Sequence, residues 1–128
     1  MKQVWIVDDD EEMTRAIELM LKLLDCEALS FLNARSTAQT LLTGKRPDLI
    51  ILDINMPEVT GLDLLEFLRR RSEWKNLPIV MLSSEATDIM IDKALDLGAD
   101  GYVTKPIVIE ELENVMAQAF EKHQLKQG

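Results

Sequence analysis

The chain has one cysteine and one histidine in 128 residues. A lone Cys26 excludes an intramolecular disulfide, and a lone His123 leaves no Cys/His spacing with which to build a zinc site. Ser-His-Asp and Cys-His mechanisms are excluded on similar grounds, because the one imidazole lies five residues from the C-terminus without the context of a catalytic base. Cys26 sits among Leu24, Asp25 and Glu27 with no basic neighbour to lower its thiol pKa, so it reads as a small, partly buried apolar residue. Basic residues are also scarce: 14 Lys and Arg face 23 Asp and Glu, a net charge of −9. That imbalance excludes nucleic-acid backbone binding and attraction to anionic membranes. No apolar run approaches the length of a transmembrane helix and the N-terminus has no h-region, so a cytoplasmic address is expected. What is present is one domain's length of chain with an ordinary apolar fraction of 47%.

Short apolar runs alternate with helical periodicities along the chain. Val4–Val7, Leu49–Leu52, Ile79–Leu82 and Gly101–Thr104 read as strands, with a weaker one at Glu27–Phe31. Met13, Ile17, Met20, Leu21 and Leu24 mark one face of a first helix, with Asp9 or Asp10 as its cap. Further helices are expected over about 36–42 (closed by Gly44), through Leu62, Leu65 and Leu68, over about 86–97 (closed by Gly98), and through Leu112, Val115, Met116, Ala119 and Phe120. Arg69, Arg70 and Arg71 read as solvated charges favourable to a helix C-terminus. Strand–helix alternation of this kind predicts an α/β, doubly wound five-stranded parallel sheet flanked by five helices. Residues 1–122 form the expected domain, and 123–128 a polar tail that frays.

In such sheets a site forms beyond the carboxyl ends of the strands. There the sequence places Asp8-Asp9 after the first strand, Asp53 after the third, Ser83-Ser84 after the fourth, and Thr104-Lys105-Pro106 after the fifth. Carboxylates that converge repel one another unless a counterion joins them, and a hard divalent cation with oxygen ligands answers that need. Asp10 reads as a helix cap, and Glu11 and Glu12 as first-turn residues.

The set Val7-Asp8-Asp9-Asp10, Leu52-Asp53-Ile54-Asn55-Met56-Pro57 with Gly61, Ser83-Ser84 and Lys105-Pro106 resembles the receiver domain of two-component response regulators. The likeness covers roughly residues 3–122. It implies the flavodoxin-like strand order 2-1-3-4-5. It further implies that Asp53 is the phosphoacceptor, and that Asp8, Asp9 and Asp53 hold Mg²⁺ together with the backbone carbonyl of Asn55. Lys105 and Ser83 would neutralise the transferred phosphoryl oxygens, and Ser83 and Tyr102 would form the switch. A cis peptide before Pro106 is implied as well. Asn55 and Glu85 occupy positions that set the lifetime of the acyl phosphate in the family, and their combination implies a short-lived signal.

The implied donor is a sensor histidine kinase or a histidine phosphotransfer protein. The implied output is a partner, or a second copy of the chain, bound through the helix 4–strand 5–helix 5 face, where Ile91, Leu95, Val108 and Ile109 lie. The domain would not be an enzyme beyond catalysing its own phosphorylation and dephosphorylation. A haloacid-dehalogenase-type phosphatase would need a second carboxylate where Asn55 stands, and a flavin carrier would need a phosphate loop where five acids stand. The rival that keeps the fold is a receiver-like interaction module independent of phosphorylation.

Overall fold

The structure, a computed structural model, describes residues 1–85 and 87–127, with side chains through residue 124. Five strands alternate with five helices: β1 (Lys2–Val7), α1 (Glu11–Leu23), β2 (Cys26–Phe31), α2 (Ala34–Leu42), β3 (Leu49–Asp53), α3 (Gly61–Arg70), β4 (Ile79–Ser83), α4 (Asp88–Asp96), β5 (Gly101–Thr104) and α5 (Ile109–Gln127). All neighbouring strands pair in parallel, in the order β2-β1-β3-β4-β5.

Each central strand is apolar on both sides because both sheet faces are covered. Trp5, Val7, Ile50, Leu52, Ile79 and Met81 face one core, shared with α2, α3 and α4 through Leu41, Leu64, Leu65, Leu68 and Ala94. Val4, Ile6, Leu49, Ile51, Val80 and Leu82 face the other, shared with α1 and α5 through Ile17, Leu21, Leu112, Met116 and Ala119. Period-two alternation is thus real but invisible to a polar/apolar reading. Every residue of β3 and β4 is buried, which holds the ends of both strands in fixed register at the site edge.

Helix starts follow their caps. Asp10, not Asp9, caps α1, and its side chain accepts from the N–H groups of Glu12 and Met13. Asn33 accepts from the N–H of Ser36, so α2 begins at Ala34, ahead of the expected residue 36. Thr60 and Asp63 form a reciprocal capping box on α3. Thr87 caps α4 at Asp88; Ala86, the expected start, lies outside the described residues.

Two expectations need correction at the opposite end of the sheet. Arg69 is not a solvated charge. Its side chain is 12% exposed and spends its donors on the carbonyls of Gly98, Trp74 and Lys75 and on Asp100 Oδ2 at 2.9 Å. Nor does the chain become a frayed tail at 122: α5 runs to Gln127, and buried His123 places Nε2 2.8 Å from Asp100 Oδ2. The same Asp100 oxygen accepts from the N–H of Ile79 at 2.9 Å, so one carboxylate fastens α3, β4 and α5. Arg70 and Arg71 do keep to the surface, paired with Glu66 and Glu73.

Candidate functional site

Asp53 ends β3, Ser83 ends β4, and Lys105 follows β5, so parallel register brings three side chains to one edge. Asp8 and Asp9 arrive from the end of β1. The backbone is fixed there by bonds between neighbouring strands and loops: Asp8 N–H to Phe31 O at 3.1 Å, Ile54 N–H to Leu82 O at 3.0 Å, and Lys105 N–H to Ser83 O at 2.9 Å. The Lys105–Pro106 peptide is cis.

A carboxylate oxygen from each of Asp8, Asp9 and Asp53 lies within 4.8 Å of the others. Asp8 and Asp53 are buried and Asp9 is exposed, so the cluster has a floor and one open side. Lys105 Nζ stands 3.2 Å from Asp8 Oδ2 and 3.4 Å from Asp53 Oδ1. The contact with Asp8 is an ion pair without hydrogen-bond alignment, and Asp8 Oδ2 has no hydrogen-bond donor. Asp8 Oδ1 is held by the N–H of Asp10 at 3.0 Å.

Charge crowding shows in the titration of the pocket. Burial, and then the negative charge of Asp8, push the Asp53 carboxyl up to about 6, against the pull of Lys105. Burial alone would lower Lys105, but Asp53 and Asp8 more than offset it and hold the ammonium above its ordinary range. At neutral pH the pocket therefore contains an ionised but destabilised carboxylate beside a firmly charged ammonium.

Gly61, which opens α3, explains itself by close approach. A Cβ there would lie 1.9 Å from the carbonyl oxygen of Asp53, and the Gly61 N–H bonds to Ile54 O at 3.0 Å. The helix thus packs directly on the backbone that presents Asp53. Asn55 is exposed in the loop between, two residues beyond Asp53.

Ser83 is fully buried, and its Oγ accepts from the N–H of Glu85 at 3.0 Å. The carbonyl of the same Glu85 accepts from the Tyr102 hydroxyl at 2.5 Å. Ser83 and Tyr102 are therefore joined through one peptide segment. Sequence reasoning named both side chains but missed this bridge, because the linking atoms are main-chain and leave no signal in residue identity.

An acid pair after β1, an aspartate ending β3 and a lysine after β5 thus converge on one sheet edge, and comparison with known proteins supplies the family. Residues 4–117 match the response regulator receiver domain. The chain belongs to that family. This receiver is 33% identical to the chemotaxis protein CheY of Pseudomonas aeruginosa over 120 residues, covering 94% of the chain and 97% of that protein. It is 32% identical over 125 residues to the KDP operon transcriptional regulatory protein KdpE of Escherichia coli, covering 96% of this chain but 53% of that one. In three dimensions it matches the chemotaxis protein CheY4 of Vibrio cholerae with a TM-score of 0.83, at 28% identity, over 93% of this receiver and 98% of that chain. Receivers thus occur both as nearly whole proteins and as parts of longer ones. Among the described residues no helix is long and apolar enough to cross a membrane.

Proposed function

We propose that this receiver is a phosphorylation-activated switch of a two-component system, in which Asp53 accepts a phosphoryl group from a sensor histidine kinase or a histidine phosphotransfer protein. The observation that carries the reading is the buried Asp53 carboxylate beside Lys105, with Asp8 and Asp9 gathered around it. In the transfer a carboxylate oxygen of Asp53 attacks phosphorus, the donor's P–N bond breaks, and the imidazole leaves. An acyl phosphate remains on Asp53.

The donor set fits Mg²⁺. Three carboxylate oxygens lie within 4.8 Å of one another, one ammonium faces them, and the buried Asp8 Oδ2 has no hydrogen-bond donor. Asp8, Asp9 and Asp53 would hold the cation, with the backbone carbonyl of Asn55. When bound, it supplies positive charge to the acids and to the phosphoryl oxygens. Lys105, 3.4 Å from Asp53 Oδ1, supplies a second positive charge, and the Ser83 hydroxyl a hydrogen-bond donor once it turns to the phosphate.

That turn connects the site to the surface. Ser83 Oγ now accepts from Glu85, whose carbonyl holds Tyr102. Recruiting Oγ to a phosphoryl oxygen alters the peptide segment on which the Tyr102 hydroxyl rests, and the α4–β5–α5 face with it. On that face Leu95 and Val108 are exposed and Ile91 and Ile109 half-buried, an apolar group suited to a protein partner or a second copy.

Incubation with Mg²⁺ and acetyl phosphate followed by intact-mass measurement tests the reading. Wild type gains one phosphoryl group and Asp53→Ala gains none; no gain by wild type, or equal gain by both, overturns it. Beryllofluoride, which imitates the phosphoryl group, is expected to change association through the α4–β5–α5 face. Unchanged elution and unchanged partner affinity would sever the switch from that surface.

A further inference from the structure

Three consecutive acids begin the site, and the metal reading uses only the first two. The third, Asp10, is exposed, and none of its side-chain contacts is with the cluster. Its Oδ1 accepts from the N–H of Glu12 at 3.0 Å and of Met13 at 3.3 Å. Its carbonyl accepts from the N–H of Thr14 at 3.0 Å, the first bond of α1. Its own N–H points the other way and donates to Asp8 Oδ1 at 3.0 Å. Every polar main-chain group of Asp10, and its carboxylate, is thus engaged.

The consequence falls on Asp8. One of its oxygens is fixed by Asp10, which leaves the buried Oδ2 without a hydrogen-bond donor on the Lys105 side. Asp9 lies between the two, with its carboxylate exposed and both of its neighbours anchored. A carboxylate with one oxygen held by a main-chain N–H is fixed in a single orientation, whether it meets the cation directly or through a water, and such supporting bonds strongly affect metal affinity.

We infer that Asp10 is a positioning residue for the acid pair: by capping α1 it fixes the main-chain N–H that orients Asp8, and it does so as a hydrogen-bond acceptor, not as a third charge of the metal site. The inference rests on the Mg²⁺ reading above. It separates two explanations of an acidic triplet that charge alone cannot separate. Asn and Ser also cap helices, without the negative charge, whereas Ala does neither.

The test uses the full chain, with Mg²⁺ alone as titrant and urea unfolding alongside. Asp10→Ala is expected to weaken Mg²⁺ binding by about tenfold, while Asp10→Asn and Asp10→Ser stay within about twofold of wild type, since a lone exposed charge is screened. Asn33→Ala, which removes the equivalent cap of α2, is expected to lose similar stability and keep the wild-type Mg²⁺ affinity. An Asp10→Ala protein that binds as wild type overturns the inference. So does an equal loss in the Asn, Ser and Ala variants, which would make charge the cause, and so does an equal loss in Asn33→Ala. A wild-type protein that binds no Mg²⁺ would instead remove the reading on which the inference stands, and the inference with it.

Discussion

Two residues, one in the β3–α3 loop and one at the start of α3, show how closely backbone conformation is tied to presentation of Asp53. Glu58 has φ of 65°, in the left-handed region where a side chain with a Cβ is strained. Asn tolerates that region better, so Glu58→Asn is expected to stabilise the protein by about 0.5–1 kcal/mol in urea unfolding. A decrease would show that the Glu58 side chain contributes more than its backbone costs. Gly61 is the opposite case. The Cβ of an alanine would meet the Asp53 carbonyl at 1.9 Å, a main-chain neighbour that no rotamer change can move away. Gly61→Ala is expected to destabilise by about 2–4 kcal/mol and to weaken Mg²⁺ binding by shifting Asp53. Wild-type stability in that variant would mean that α3 can retreat without disturbing the strand end.

At the level of elements, what could be read from the sequence was what local pattern encodes. Leu49–Leu52 and Ile79–Leu82 announced buried strands because a parallel sheet covered on both faces leaves no polar position inside. Asp53 was one of 23 acids, yet its place directly after such a run distinguished it. Arg69 and His123 were misjudged because their partner is remote: Asp100 lies 31 residues from one and 23 from the other. No spacing rule reaches that far, and an arginine in a triplet at a helix end looks alike whether clamped or solvated. The clamp makes its own prediction. Arg69→Met keeps bulk but leaves Asp100 buried without its cation, and uncovers three carbonyls that now accept from the guanidinium. A loss of about 3–5 kcal/mol is expected from breaking a buried pair on one side. Because the clamp sits at the edge of the sheet away from Asp53, the folded fraction should still gain phosphate from acetyl phosphate at close to the wild-type rate. A variant that unfolds no more readily than wild type would make the network decorative.

For the molecule as a whole, the pocket sets stability against the ionisation of Asp53. Asp53 titrates near 6 in the folded state, against an ordinary 3.8, so between these values the folded chain holds a proton that the unfolded chain has released. Stability therefore falls as pH rises through about 4 to 6, and the deficit is complete above the folded value. Two units at about 1.4 kcal/mol each set its scale at about 2–3 kcal/mol at pH 7 without metal. Lys105 does not blur this window, because the stability its raised pKa contributes is constant below its ordinary 10.5 and is lost only above it. Asp53→Asn removes the charge, so metal-free Asp53→Asn is expected to be more stable than wild type at pH 7 by about 1–3 kcal/mol, with the difference vanishing near pH 4. On the proposed reading Mg²⁺ would bind the ionised cluster and not the unfolded chain, so its addition should close most of the gap for wild type at pH 7 and do far less for Asp53→Asn. Thermal unfolding of both proteins at pH 4.5 and 7, with and without Mg²⁺, measures all eight combinations. If metal-free wild type is as stable as Asp53→Asn at pH 7, the acids of the pocket are not in conflict, and the energetic reason for gathering a cation there is lost.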